Sequence, residues 1–162
     1  MHRLLLLGAL GVAVAGCDSS GVAPPPLDRC DVATGGSVDA LEIGGASEAD
    51  LSGTPPATFT PLAEGDGVPL LRGNQGAYMV GFVLRVRGAA APECLDQRTV
   101  VSDTAGMRIT AASIPLKTYA RPDGTRMTAA LWMPAEYPAT FSVTVDAAGQ
   151  SLTRHLHLNL VK

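Results

Sequence analysis

Two histidines near the carboxyl end of the chain are spaced for metal chemistry. In His155-Leu156-His157 the imidazoles are two residues apart. On a β-strand, side chains at i and i+2 point to one face, so both rings could reach a zinc or copper ion. The only other histidine is His2, and a further Met or carboxylate ligand cannot be placed. His155 and His157 are therefore weak metal candidates, and we expect no cofactor.

A second candidate, for calcium, is the run Glu64-Gly65-Asp66-Gly67. Oxygen ligands and glycine turns suit this ion, but the further spaced carboxylates of a full calcium loop are missing. A solvated hairpin turn explains the same four residues, and we favour it.

Hydrolase chemistry has weaker support. The run Gly35-Gly36-Ser37-Val38-Asp39 lacks the final glycine of the G-x-S-x-G pattern, and Ser113 and Lys117 miss the S-x-x-K spacing by one residue. A serine or cysteine nucleophile needs a base and an orienting group, which the few histidines and cysteines make hard to supply. We therefore predict that the protein is not an enzyme.

The first cysteine lies in a targeting segment. A short basic start containing Arg3 is followed by an uncharged apolar run from Leu4 to Gly16, too short to span a membrane and typical of a secretory signal. Val14-Ala15-Gly16-Cys17 resembles the lipobox of bacterial lipoproteins. The resemblance implies cleavage before Cys17 and acyl chains such as palmitate on that residue, with two or more chains giving a stable membrane anchor. Asp18 resembles a lineage-dependent inner-membrane retention signal, so the particular membrane stays open.

Once Cys17 is assigned to lipid, Cys30 and Cys94 remain as a pair in an oxidising compartment, which predicts one disulfide. Two unpaired thiols are the alternative. The mature chain from Cys17 loses one basic residue and no acidic one, so its formal charge changes from −3 to −4. Because no dense cluster of Lys and Arg is present, nucleic acid is excluded as an expected partner.

The predicted organisation has three parts: a signal peptide over 1–16, a lipidated cysteine with a Pro/Ser/Gly tether over 17–29, and one domain over 30–162. The stretch 18–29 contains Pro24-Pro25-Pro26, which suits an extended chain that could reach about 40 Å. A second irregular stretch, 44–58, is predicted to be a surface loop.

The domain is predicted to be all-β because apolar residues alternate with period two between turn residues. The clearest run places Tyr78, Val80, Phe82, Leu84 and Val86 on one face, with Arg85 and Arg87 on the solvated face. The other predicted strands are 40–43, 59–62, 68–71, 98–102, 107–111, 125–133, 141–145 and 152–160. Turns are predicted at 73–76, 103–106, 122–124 and 148–149.

This pattern favours an immunoglobulin-like antiparallel β-sandwich of about eight or nine strands, with a barrel as the alternative. Trp132, Tyr119 and Tyr137 could line a carbohydrate or peptide surface. Trp132 is either covered by the second sheet or exposed.

The stretch Phe59–Asp66, then Leu70, Gly73, Gln75-Gly76 and Leu84–Gly88, is similar to a family of bacterial lipoproteins without assigned function. The resemblance covers roughly a fifth of the chain. It implies a small exported β-domain behind a lipoprotein signal and brings no catalytic residues with it.

These observations predict a lipid-anchored protein of the cell envelope, facing the periplasm or the exterior. Its β-sandwich would be a non-catalytic interaction or structural module, with another envelope protein as a partner. The alternative is a ligand or metal carrier that uses His155 and His157. An open strand edge would favour the first function, and a deep pocket beside the histidines the second.

Overall fold

The computed structural model describes residues 30–31, 33–72, 76–103, 105–135, 139–147 and 150–161. Within these ranges the regular structure consists of ten β-strands and a short 3₁₀ helix, Glu48–Ser52. The strands are β1 Ala40–Gly45, β2 Gly67–Pro69, β3 Leu71–Arg72, β4 Tyr78–Arg87, β5 Cys94–Ser102, β6 Arg108–Ala120, β7 Arg126–Thr128, β8 Leu131–Pro134, β9 Ala139–Ala147 and β10 Gln150–Val161.

Two sheets share one long strand. The first sheet contains β1, β4 and β7, with β3 and β8 also paired to β4, and the second has the order β6-β5-β9-β10. The strand β6 pairs with β5 through Lys117 and then with β7 from Thr118 to Ala120, so it passes from one sheet to the other. All of these pairings are antiparallel, and β2 adds a short parallel pairing to β10. The predicted all-β sandwich is confirmed.

The main core lies between the two sheets and follows the alternation in the sequence. On β4 the predicted inward residues Val80, Phe82, Leu84 and Val86 are all buried. On β10 Leu158 is buried while His155, His157 and Asn159 are exposed, as the sequence predicts. Residues from both sheets complete this core: Leu41, Ile43, Leu95, Val101, Leu116, Leu131 and Met133.

A second apolar cluster lies on the opposite face of β4. Val83 is fully buried there and Trp132 is 8% exposed, beside Ala46 and the partly buried Phe59. Neither alternative expected for Trp132 holds, because residues from the loop 46–59 cover it and the second sheet does not. The loop 46–59 therefore covers this part of the outer face of the first sheet.

Several strand boundaries differ from the sequence prediction. The predicted strand 59–62 forms only one isolated bridge, between Pro61 and Gly44, and the predicted strand 125–133 is interrupted at Ala129-Ala130. β5 begins four residues earlier than predicted, and β6 continues to Ala120. The predicted strand 68–71 is likewise divided at Leu70, into β2 and β3. Losing one predicted strand and dividing two gives ten strands instead of eight or nine.

The predicted turns between β5 and β6 and between β6 and β7 are confirmed. At the first, Asp103 Oδ1 accepts hydrogen bonds from the N–H groups of Ala105 and Met107 at 2.9 and 2.8 Å. At the second, the N–H of Arg121 donates to the carbonyl of Thr125 at 2.9 Å. The predicted turn 148–149 and most of the turn 73–76 lie outside the described residues.

A disulfide joins Cys30 to Cys94, with 5.9 Å between the Cα atoms, which confirms the predicted pairing. Thr34 reinforces this connection, because its N–H donates to the carbonyl of Cys94 and its hydroxyl accepts from the N–H of Cys94, both at 2.9 Å. The residues after Cys30 are thereby fixed to the beginning of β5. Residues 1–29, including Cys17, lie outside the described residues.

Candidate functional site

The two sheets meet differently at their two sides. At one side β6 joins them, whereas at the other β1 and β10 lie next to each other at 41–43 and 154–156. Within the described chain no main-chain ladder pairs these two strands. We call this place the β1–β10 seam. It holds a cavity of about 280 Å³ lined by Leu41, Glu42, Ile43, Pro61, Leu62, Arg154, His155 and Leu156.

The segment 60–66 closes one end of the seam. The N–H of Leu62 donates to the carbonyl of Ile43 at 2.8 Å, so this segment is first bonded to β1. The N–H of Gly65 then donates to the carbonyl of His157 at 2.8 Å, which bonds the same segment to β10. The seam is therefore a groove that is blocked beyond Ile43 and His157.

The strand edges present main-chain groups to the seam. The N–H and C=O groups of a strand point alternately to its two edges. The carbonyls of Ile43 and His157 point to the segment 60–66, so Leu41 and His155, two residues before them, point to the same edges. Among the described residues, the N–H of Leu41 and both main-chain groups of His155 have no hydrogen-bond partner. These groups are available to an added segment of chain.

Arg154 bridges the seam. Its Nε donates to the carbonyl of Leu41 at 3.1 Å, and this is the one hydrogen bond of its side chain within the described structure. Arg154 shares the face of β10 on which the half-buried Leu152 and Leu156 lie. The remaining guanidinium N–H groups therefore stay available beside an apolar surface.

The charges around the seam are predominantly positive. Glu42 is held by Arg85, its cross-strand partner on β4, whose Nε lies 2.7 Å from Oε2. This hydrogen bond lowers the pKa of Glu42; burial opposes the shift, and the nearby charges of Arg85, Arg87 and Arg154 add to it. Three arginines thus surround one carboxylate, in a chain whose formal charge is −3.

The structure places the two predicted histidines in different environments. His155 lines the seam. His157 lies next along the same exposed face, with Nδ1 3.4 Å from Oε1 of Glu64, and its N–H donates to Oε2 of Glu64 at 3.1 Å. Within the described part of the chain, no group of three His, Cys, Asp or Glu residues comes together to hold a metal ion.

The acidic run that resembles a calcium loop is a turn next to β10. Oδ2 of Asp66 accepts the N–H of Ala63 at 2.7 Å, and the N–H of Asp66 donates to the carbonyl of Ala63 at 3.2 Å. Glu64 bonds to His157, as described above. Both carboxylates are therefore bonded, one within the turn and one to β10. The turn leads from a segment bonded to β1 into β2, which pairs with β10, so the predicted hairpin is wrong although the turn is present.

Within the described ranges, the hydrolase candidates are not assembled around a histidine. Ser113 and Lys117 lie on β6, which is separated from His155 on β10 by β5 and β9. The N–H of Ser37 donates to the carbonyl of Ala90 at 3.1 Å, in the segment that precedes β1.

Of the aromatic candidates, Trp132 is buried, and its Nε1 has no hydrogen-bond partner among the described residues. Tyr119 is half-buried, with Nζ of Lys117 5.2 Å from its ring centroid. Tyr137 lies outside the described residues.

Two larger depressions each hold a polar side chain that is bonded within the fold. A cavity of about 450 Å³ lies beside the disulfide, where Nε and Nη2 of Arg126 donate to Thr118 at 2.7 and 2.8 Å. Another of about 500 Å³ lies beside the 3₁₀ helix, where Asp50 accepts from the N–H and hydroxyl of Ser47 at 2.8 Å. We favour the seam because it combines open strand edges with donors that have no partner in the described structure.

Sequence reasoning identified His155 but missed Leu41 and Arg154 as parts of a site. The available signal was the position of Arg154, a basic residue, on the face of β10 that otherwise carries leucines. Its significance depends on β1, which lies 113 positions away along the chain.

Known proteins provide no direct guide to this site. No protein-family model matches the chain, and no curated protein matches it. Among the described residues, no helix has the length and apolar character needed to cross a membrane.

Proposed function

We propose that this protein is a lipid-anchored component of a bacterial cell envelope, facing the periplasm or the cell exterior. Its sandwich acts as a non-catalytic interaction domain, and the β1–β10 seam is the contact surface. The observation that carries this proposal is the pair of strand edges around the seam, which present main-chain groups without partners in the described structure to a cavity of about 280 Å³.

The mode of contact is the addition of an extended segment from another envelope protein. Exposed strand edges bind such segments through main-chain hydrogen bonds, and pockets for alternate side chains provide specificity. Here Leu41 and His155 supply main-chain groups, while Leu62 and Leu156 supply apolar surface. Because the cavity is small, a short segment of a few residues fits it best.

The proposed address depends on Cys17. Its lipobox-like surroundings support lipidation, and the Pro-rich tether that follows could hold the domain up to about 40 Å from the bilayer. The resemblance of 59–88 to bacterial lipoproteins supports the same address. The disulfide joins Cys30 to the beginning of β5, which supports an orientation in which that end of the sandwich faces the membrane.

Site-specific crosslinking in cells tests the interaction. A photoreactive amino acid replaces His155 in the full chain, and the matched control carries it at Ser113, which is also exposed in the second sheet but three strands away. We expect a defined covalent adduct with an envelope protein from position 155 and none from position 113. Equal labelling from both positions, or none from either, would contradict the proposal.

The anchor has its own test. A Cys17→Ser chain should no longer incorporate labelled palmitate and should leave the membrane fraction, whereas a Cys30→Ser chain should keep both properties because Cys30 is assigned to the disulfide. A Cys17→Ser chain that still incorporates the label and sediments with membranes would exclude lipidation at this residue.

A carrier function that uses His155 and His157 is the second candidate. It is favoured by one observation, namely that both imidazoles are exposed on one face of β10 with Glu64 beside His157. If this function is correct, zinc or copper will raise the melting temperature of the full chain but not of a His155→Ala/His157→Ala variant. If the protein is instead a non-catalytic interaction domain, neither ion will change the melting temperature of the full chain or of the variant.

A further inference from the structure

We propose that the β1–β10 seam binds the carboxyl-terminal residue of a partner polypeptide, with its terminal carboxylate on Arg154 and an apolar last side chain in the cavity. This inference rests on the proposed function, because it names the class of segment that the seam accepts. Three features of the seam support it: the charge of Arg154, the blocked end and the apolar lining.

The first feature is charge. Arg154 uses one N–H in its bond to Leu41 and keeps its other donors. The charge of Glu42 acts on Arg154 from nearby, but its side-chain hydrogen bond goes to Arg85, so it leaves the donors of Arg154 in place. A guanidinium with free donors binds a carboxylate through two parallel hydrogen bonds, which are stronger than bonds between neutral groups. The seam therefore attracts an anionic group although the chain as a whole is acidic.

The second feature is the block at one end. Segment 60–66 is bonded to Ile43 on one side and to His157 on the other. A chain that passes through the seam would have to displace these bonds, whereas a chain that ends in it would not. The blocked end thus favours a chain terminus over an internal acidic segment.

The third feature is the lining. Leu41 and Ile43 are buried, and Leu62 and Leu156 are half-buried around the cavity. A cavity of about 280 Å³ accommodates one large aliphatic or aromatic side chain together with its backbone. An apolar last residue would cover this surface, and its N–H would bond to the main-chain carbonyl of His155.

Display of random heptapeptides against the full chain, purified as the cell processes it, tests the inference. One library ends in a free carboxyl terminus, and its twin is capped by a fused domain. We expect the free library to enrich for Leu, Ile, Val or Phe at the last position and the capped library to show no enrichment. An enriched peptide should bind about ten-fold or more tightly than its amidated form, which is the ratio expected for a hydrogen bond to a charged group.

Three variants at two arginines locate the effect. Arg154→Gln should remove the preference for the free carboxylate, Arg154→Lys should keep part of it, and Arg98→Gln, an exposed arginine on β5, should leave it unchanged. Thermal melting of all three variants confirms that they are folded. A preference that survives Arg154→Gln in the folded protein would overturn the assignment of the carboxylate to Arg154.

The remaining outcomes separate this inference from the proposed function. Enrichment of internal Asp or Glu in both libraries overturns the terminal carboxylate but leaves the seam as a peptide site if Arg154→Gln abolishes binding. No enrichment in either library overturns the inference, and crosslinking at position 155 then decides the proposed function. Binding of phosphatidylglycerol vesicles that requires Arg154, without peptide enrichment, would identify a lipid site and overturn both.

Discussion

The indole ring of Trp132 on β8 packs so closely on Gly81 of β4 that a Cβ atom at residue 81 would lie 2.5 Å from two of its carbons. The two residues are direct cross-strand partners. Trp132 is 8% exposed, beneath a cover of residues from the loop 46–59. The absence of a side chain at residue 81 therefore determines how closely the loop can lie against the first sheet.

This packing predicts a large effect of one methyl group. Gly81→Ala should lower the free energy of unfolding by about 1–3 kcal/mol, because the ring and the loop above it must shift. Gly45→Ala is the matched control, since a Cβ there meets its nearest atom, Cδ2 of Leu62, at an ordinary 3.5 Å. Urea denaturation of the two variants measures the difference. Equal stabilities would contradict the close packing of Trp132 on Gly81.

The disulfide predicts that its removal will lower the free energy of unfolding. A Cys30→Ser/Cys94→Ser variant should be less stable by about 2–4 kcal/mol, because an unfolded chain without the 64-residue loop closure gains conformational entropy. Urea denaturation of the wild type with and without dithiothreitol should reproduce the same loss. If the reductant leaves the variant unchanged but destabilises the wild type, the effect belongs to this bond.

A buried polar pair in the core predicts that single and double substitutions will change the free energy of unfolding by different amounts. Thr99 donates to Oε1 of Gln97 at 2.7 Å, both residues are at most 1% exposed, and Nε2 of Gln97 has no partner among the described residues. Thr99→Val alone should destabilise the fold by about 1–3 kcal/mol, because it leaves Oε1 of Gln97 without a partner.

Replacing both members of the pair should be less harmful than replacing one. Gln97→Leu/Thr99→Val removes every unpaired polar atom at this position and keeps the volumes similar, so its free energy of unfolding should equal or exceed that of the wild type. Chemical denaturation of the two single variants and the double variant completes a mutant cycle. A double variant that is less stable than either single one would contradict the argument.

The ion pair between Glu42 and Arg85 predicts a pH dependence. The hydrogen bond from Arg85 holds the pKa of Glu42 below its ordinary value of 4.5 in the folded protein. The stabilising contribution is therefore complete above pH 4.5 and is lost as the pH falls through the lower pKa of the folded state. Glu42→Gln should flatten the acid limb of the stability curve by a small amount, since the pair is partly exposed. Identical acid limbs for the two proteins would exclude this contribution.

Local patterns explain which parts of the fold could be predicted. In β4 and β10 the alternation of apolar and polar residues directly encodes which face is buried, so Phe82 and Leu158 were assigned correctly. The beginning of β5 was missed because its inward face carries Gln97 and Thr99 where apolar residues are expected. The burial of Val83 was missed as well, because it depends on the loop 46–59, whose composition is typical of an exposed segment.

The candidate site was less predictable than the fold because it depends on contacts between distant parts of the chain. Alternation places Arg154 on the inward face of β10, but only the pairing of β1 with β4 brings Leu41 to the other side of the seam. The pairing of Cys30 with Cys94 could be predicted because the proposed lipidation of Cys17 leaves these two cysteines as a pair.

The disulfide also determines how the domain would respond to mechanical force. A pull on the chain before Cys30 passes through the sulfur atoms directly to Cys94 and from there into β5. The strands β1 to β4 lie inside the closed loop and outside this covalent path. Their unfolding would add no length between Cys30 and the carboxyl terminus, a saving of roughly 220 Å for 64 residues. Because the seam contains Leu41 and Ile43 from within that loop, one of its two edges would be shielded from tension applied before Cys30.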